Sequence, residues 1–389
     1  MISVSRLLCD EISPGDELRY GHHGRLSPPL EARPIVVWNC TRKCNLNCIH
    51  CYVDATNGEI DREMNTEEGK IFIQQLADFG APVLLFSGGE PLVRKDFFDL
   101  ARFATARGIG VVVSTNGTLI TPEIAREMKE IGFREVGISL DGIGSQNDKF
   151  RGKTGAYEAA LAGIRKCIAE GQRVSLRMTI IRANHHEVPA ILDLVEQENI
   201  DRVCFYHLAY AGRGNDLRNI DLSHQETREV VDLICDRTLD FYERGLKKEI
   251  LLVANHADGV YLYLRERDRN PDRSNKIMEL LRINGGNNSG IRIGAVDETG
   301  NVHPDQFWRS LSLGNVRERS FGDIWMDISN PVMAGLKDRK SLLKGRCAQC
   351  RYLEICNGNL RARAEAVFDD MWTEDPACYL TDKEIGIAK

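Results

Sequence analysis

Seven of the twelve cysteines in this 389-residue sequence fall in two tight groups, and these groups are its most chemically suggestive feature. Cys44, Cys48 and Cys51 are spaced C-x3-C-x2-C. Cys347, Cys350 and Cys356 are spaced C-x2-C-x5-C, and Cys378 follows in EDPACYL. Short loops let several soft thiolates converge on one inorganic core, so both groups read as ligands for zinc or an iron–sulphur cluster. A closed zinc site takes four protein ligands, so the first group would have to recruit Cys40 or His50. A cubane held by three thiolates instead leaves one iron open to a substrate or cofactor. The C-terminal group has the four thiols that a closed site needs, whether zinc knuckle or cluster. Cys9, Cys40, Cys167, Cys204 and Cys235 stand singly and read as small buried apolar residues.

The strand–helix pattern must position these groups. PIVVWNC reads as a strand that runs straight into the first cysteine loop. TEEGKIFIQQLADFG reads as a helix with Thr66 as N-cap and Gly80 as terminator. APVLLFSGGEP, GVVVSTNG, EVGISLDG, VSLRMTII and VCFYHLAY are further strands, each separated from the next by a helical stretch. Such alternation gives an α/β fold with a parallel sheet and helices outside. Six strands with right-handed crossovers suggest a partial (β/α)6 barrel, with a doubly wound open sheet as the alternative. Polar residues follow the strands, where both architectures build their sites. Four segments are expected: residues 1–33, the barrel at 34–215, a charged helical connection at 216–290, and a small cysteine-bearing domain at 291–389. In the last, IRIGAVDETGNVHPDQF reads as two short strands around a turn.

Lys and Arg number 51 against 57 Asp and Glu, a net charge of −6. That balance speaks against a general binder of nucleic acid or anionic membrane. No apolar run of about 18 residues suggests a membrane span, and the acidic opening MISVSRLLCDEISPGDELRYG does not resemble a secretory signal. A cytoplasmic protein is expected, and in that reducing compartment clustered cysteines read as metal ligands before disulfides.

CTRKCNLNCIHCY, SGGEP at 87–91, STNG at 114–117 and ISLDG at 138–142 occur in this order at successive strand ends. The ordered set resembles the radical S-adenosylmethionine superfamily, over most of residues 34–215. The resemblance implies a [4Fe–4S] cluster on Cys44, Cys48 and Cys51, with S-adenosylmethionine chelating its open iron. Reduction would then yield a 5′-deoxyadenosyl radical that takes a hydrogen atom from substrate. Gly88, Gly89 and Glu90 match the motif that meets the methionine amino group. Asn116 and Ser139 lie where the family contacts the ribose, and Arg151 is a candidate carboxylate partner. Asp141 is alternatively a helix cap, and Arg177 is a charge in the barrel interior that needs a partner. The C-terminal cysteines resemble the SPASM/twitch auxiliary-cluster region, which implies a second [4Fe–4S] cluster on Cys347, Cys350, Cys356 and Cys378. Family members with two auxiliary clusters carry more cysteines, where this sequence has Asp305 and Asn359, so one auxiliary cluster is expected.

LRYGHHG, FYHLAYAGRG, LGNVRERSFGDIW and CNGNLRARAEAVFDD extend the likeness to the NirJ/AhbC group, which remodels siroheme-derived tetrapyrroles. One branch removes the acetate side chains of 12,18-didecarboxysiroheme to give iron-coproporphyrin III, and the N-terminal segment is nearer to it. The other branch removes propionates on the way to d-type haem. An electron donor such as ferredoxin or flavodoxin is implied. Carboxylate-rich tetrapyrroles suit arginine forks, and the candidates are Arg19, Arg25, Arg213, Arg218, Arg292, Arg309, Arg361 and Arg363. His22, His23, His207 and His303 are candidates to ligate iron or move a proton. Tyr20, Tyr206, Tyr210 and Trp308 are candidates to stack on the macrocycle. The competing readings are a radical maturase of a ribosomal peptide, whose N-terminal peptide-binding domain is not expected in residues 1–33, and a metal-binding scaffold without catalysis.

Overall fold

The computed structural model describes residues 1–21, 27–58 and 60–387. Its eleven strands form one sheet: β1 (Ile2–Ser3), β2 (Ile35–Thr41), β3 (Val83–Gly88), β4 (Gly110–Thr115), β5 (Glu135–Ser139), β6 (Val174–Ile180), β7 (Arg202–His207), β8 (Glu249–Val253), β9 (Ile293–Val296), β10 (Asn301–His303) and β11 (Gly314–Asn315). Strands β2 to β8 lie side by side in chain order and run parallel. β1 closes one end antiparallel to β8, and β9 pairs parallel with β2 at the other. The β9–β10–β11 meander is antiparallel, as the turn around Glu298–Asn301 requires.

The six expected strand–helix units are present, and each strand end carries the next helix on the outer face. Trp38 points outward from β2 into the helix layer, where its ring meets Phe72 edge-on at 5.3 Å and Phe86 at 5.5 Å. Residues of opposite parity face inward: Val37, Leu85, Ser87, Ser114, Ser139, Arg177 and Tyr206 all border one cavity. This inward set is unusually polar for a parallel sheet, whose strands are normally apolar on both faces. A polar interior of this kind marks a site, not a packed core.

Two details differ from the sequence expectation. The helix Thr66–Phe79 is capped by Asn65, not Thr66; Asn65 and Glu68 form a capping box, which frees the Thr66 hydroxyl to bond Asp96 at 2.7 Å. Gly80 ends that helix in the left-handed conformation, as expected. The region 216–290 holds the expected helices His224–Glu243, Ala257–Arg267 and Pro271–Asn284, but also β8, whose five residues are all buried. The sheet therefore draws strands from all four segments, and the segment boundaries do not interrupt its hydrogen bonding.

Candidate active site

The first cysteine loop follows β2, and its backbone is tied down on three sides. The Arg213 guanidinium donates to the carbonyls of Cys48 and Ala55, both at 2.9 Å, and its backbone amide donates to Cys51. Gly212, with φ +51, lies so close to the Cys51 carbonyl that any side chain would collide with it. From the other side, Asn47 and Ile49 donate to the carbonyls of Arg151 and Phe150. Arg213 thus holds the loop and is not a free carboxylate receptor.

Cys44, Cys48 and Cys51 all border a cavity of about 1100 Å3, mouth included, at the C-terminal ends of β2 to β7. Each sulphur has a donor aimed at it. The amides of Leu46 and Ala55 reach Cys44 and Cys51 at 3.4 Å, and the Arg151 guanidinium reaches Cys48 at 3.6 Å. Burial pushes the Cys44 thiol up to about 12 and raises Cys48 despite Arg151, so these groups need a cation to become thiolates at neutral pH. The donors suit sulphur that carries negative charge, which fits an iron–sulphur core. Among the described residues no three His, Cys, Asp or Glu groups close around a point small enough for a single ion. Neither proposed fourth zinc ligand is free. Cys40 is buried in the main core with its thiol donating to the Ser87 carbonyl, and His50 is held 3.3 Å from Asp141. Burial lowers the His50 pKa despite that carboxylate.

The glycine-rich turn after β3 presses against this loop. Gly88 has φ +124, and the amides of Gly89 and Glu90 donate to the carbonyls of Thr41 and Lys43. A Cβ on Gly89 would overlap the Lys43 carbonyl, one residue before Cys44. Gly89→Ala is therefore expected to displace the loop and lower iron retained by the first cysteine group, while iron bound by the C-terminal group stays unchanged; iron analysis of each variant by electron paramagnetic resonance checks this.

Glu90 follows these glycines, and its carboxylate ties two strand ends together. It is fully buried, does not border the cavity, and accepts from Thr115 and the Asn116 amide at 2.7 Å and from the Leu92 amide at 3.1 Å. Burial raises its pKa against these bonds. The carboxylate fastens the end of β3 to the end of β4 and so fixes Asn116. Asn116 borders the cavity and donates to Asn45 of the cysteine loop at 2.8 Å. Ser139 borders the cavity directly, as does Arg151, whose guanidinium pairs with Asp141 at 2.5 Å. Asp141 caps no helix; it accepts from the Thr179 amide and holds both Arg151 and His50.

On the opposite wall His207 borders the cavity and meets buried Asp258 at 3.0 Å, and Asp258 accepts from the Tyr379 hydroxyl at 2.8 Å. This chain runs from the cavity to the residue after Cys378. Of the other candidates, Tyr206 borders the cavity, whereas His303 is locked between Leu311 and Asp297. Arg19, Arg309 and Arg363 are paired with carboxylates. Arg218, Arg292 and Arg361 donate to backbone carbonyls. Tyr20, Tyr210 and Trp308 are engaged by Ser3, Asp221 and Glu365. His22, His23 and Arg25 lie outside the described residues. Tyr52, Gln306 and Phe307 line the cavity without having been singled out; Tyr52, directly after Cys51, was findable from its position.

Cys347, Cys350, Cys356 and Cys378 border a second, smaller pocket of about 430 Å3 with Val260, Leu353, Leu380 and Ile385. Burial raises all four thiols, and the four also raise one another. Buried Arg361 lies near enough to oppose this at Cys347 and Cys356. Asp305 and Asn359 are consumed elsewhere, by Ser289 and Phe307 and by His256 and Asn255.

The Radical SAM superfamily model matches residues 38–195. The chain is 53% identical to Fe-coproporphyrin III synthase of Methanosarcina barkeri, covering 99% of each. It is 42% identical to pre-heme d1 synthase of Dinoroseobacter shibae, covering 93% of this chain and 91% of the relative. The chain belongs to the Radical SAM superfamily. Among solved structures, Streptococcus suis SuiB bound to S-adenosylmethionine superposes with a TM-score of 0.70 at 16% identity, covering 90% of this chain and 78% of that one; at that identity the likeness is one of fold. Membership in the Radical SAM superfamily implies a [4Fe–4S] cluster and S-adenosylmethionine, and the three-thiol cavity has the donors for both. Bound there, they would supply radical chemistry, the removal of a hydrogen atom from a substrate. The protein holds the loop through Arg213 and positions Asn116 through Glu90, and Ser139 and Arg151 border the same cavity.

Proposed function

We propose that this chain removes the two acetate side chains of 12,18-didecarboxysiroheme to give iron-coproporphyrin III. The observation that carries this reading is the near-full-length likeness to Fe-coproporphyrin III synthase, which exceeds that to pre-heme d1 synthase in both identity and coverage. The cavity agrees with it chemically, since it combines aromatic walls at Tyr52, Tyr206 and Phe307 with cationic groups at Arg151 and Arg177. A macrocycle bearing several carboxylates asks for that mixture.

In this reading Cys347, Cys350, Cys356 and Cys378 hold a second [4Fe–4S] cluster, and a ferredoxin or flavodoxin supplies electrons in the cytoplasm. No helix among the described residues is long and apolar enough to cross a membrane. The cofactor contacts are Gly88, Gly89, Asn116, Ser139 and Arg151, with Glu90 acting through Asn116.

Anaerobic incubation with reductant, S-adenosylmethionine and didecarboxysiroheme, followed by mass spectrometry, is expected to show loss of two acetates. Loss of propionates would instead place the chain on the d-type haem branch, and absence of tetrapyrrole turnover would sink the substrate. Reconstituted protein is expected to carry about eight irons per chain, two cubanes of four; about four would remove the second cluster from the proposal.

A further inference from the structure

Beneath the cavity a buried network of charges fails to balance. Arg19 pairs with Asp16 and Glu249, Arg173 with Glu249, and Arg202 with both Glu249 and Glu135. Arg177 approaches Glu135 only to 3.8 Å, and Glu135 is already bonded to Arg202 and Ser175. Among the described residues the network thus sets four guanidinium groups against three carboxylates, an excess of one positive charge. The member that borders the cavity is Arg177.

Its side chain is 14% exposed, and its Nε is fully buried with no acceptor. A guanidinium brings five donors, and leaving them unsatisfied away from water costs free energy. The position is nevertheless built. Gly137 on β5 lies under the guanidinium, and any Cβ there would strike it. Ser139, Thr179 and Tyr206 border the same cavity.

We propose that Arg177 is a carboxylate-binding residue at the cavity floor, and that it receives a side-chain carboxylate of the tetrapyrrole substrate. This rests on the tetrapyrrole reading above. The cofactor also carries a carboxylate, but the cavity guanidinium groups bonded to the cysteine loop are Arg151, at the Cys48 sulphur, and Arg213, at the Cys48 and Ala55 carbonyls; Arg177 sits on β6 near Glu135. An arriving carboxylate supplies both the missing charge and the acceptors, in the fork geometry that arginine favours.

Titration of the reconstituted full-length protein with coproporphyrin III, its tetramethyl ester and S-adenosylmethionine tests this. Arg177→Gln is expected to weaken coproporphyrin binding on the order of tenfold to a hundredfold, as for a lost charge-assisted hydrogen bond. Ester binding and S-adenosylmethionine binding should not change, and Arg177→Lys should recover part of the loss. Without ligand, Arg177→Met should melt no lower than the wild type, because the charge removed lacks a full partner. A lower melting temperature would make Arg177 structural and overturn the proposal. So would equal coproporphyrin affinity in wild type and Arg177→Gln, or a loss confined to S-adenosylmethionine. If the wild type itself binds no coproporphyrin, the tetrapyrrole reading fails, and this assignment with it.

Discussion

Cys48→Ala is expected to abolish 5′-deoxyadenosine formation while leaving the protein folded. Cys48 is the ligand whose removal can be interpreted most cleanly, because its loop is held through backbone atoms. Arg213 grips the Cys48 and Ala55 carbonyls, Cys51 takes the Arg213 amide, and Asn47 and Ile49 hang on the segment around Arg151. None of these bonds involves the Cys48 sulphur, so the variant loses a ligand without losing the loop. A cubane left with two thiolates in an open cavity has no protein group to replace the third: His50 is committed to Asp141 and Cys40 lies in the core. Cys350→Ala is the control and should retain about four irons and some uncoupled cofactor cleavage. Chromatographic assay of 5′-deoxyadenosine with iron analysis on both variants checks the pair. Continued cleavage by Cys48→Ala would overturn the first-cluster assignment, and loss of all iron from Cys350→Ala would contradict two independent sites.

The parts of this site legible in the sequence are those fixed by local chain geometry. Cysteine spacing, the glycines of SGGEP and the strand-end positions of Asn116 and Ser139 are short-range facts, and all of these residues meet at one cavity. Glu90 shows where such reading stops. Its motif made it a cofactor ligand, but whether a carboxylate faces a cavity or the neighbouring strand depends on the pairing of β3 with β4, and here it turns to Thr115 and Asn116. The arginines fail for a related reason. The family resemblance suggested carboxylate receptors, yet a buried guanidinium takes whichever acceptors the fold brings near, and most found backbone carbonyls or structural acids. Arg177 was legible only as a charge in need of a partner; that the fold leaves it without a full one emerged from counting the whole network.

Strand β8 was missed because EILLV is five residues long and lies between charged helical stretches. Nothing local separates a short buried strand from a helix turn of the same composition. Its edge is supplied by β7 and covered by β1, partners about 45 and 250 residues away in sequence.

The second large expected effect concerns the joint between the two cysteine sites. Arg363 and Asp375 form a pair with both side chains fully buried, bonded twice at 2.8 and 3.0 Å. The guanidinium spends its remaining donors on the carbonyls of Leu208, at the cavity wall, and Ala254. Asp375 also accepts from the amides of Leu360 and Ala377, and its own amide donates to Cys347. Asp375→Ala strands a buried cation and two amides at once, and a destabilisation of about 3–5 kcal/mol is expected, as for other broken buried pairs. Urea denaturation followed by circular dichroism should show the lower midpoint. Iron at the C-terminal cysteines should fall more than iron at Cys44, Cys48 and Cys51, since the Asp375 carboxylate fixes the amide of Ala377, the residue directly before Cys378, and that of Leu360. The double variant Arg363→Met, Asp375→Leu should recover much of the lost stability, because it removes the charge along with its partner. It should not recover the C-terminal iron, whose loop still lacks the Asp375 carboxylate that fixed the Leu360 and Ala377 amides. An unchanged midpoint in Asp375→Ala would mean that the pair contributes nothing to holding the C-terminal segment on the barrel.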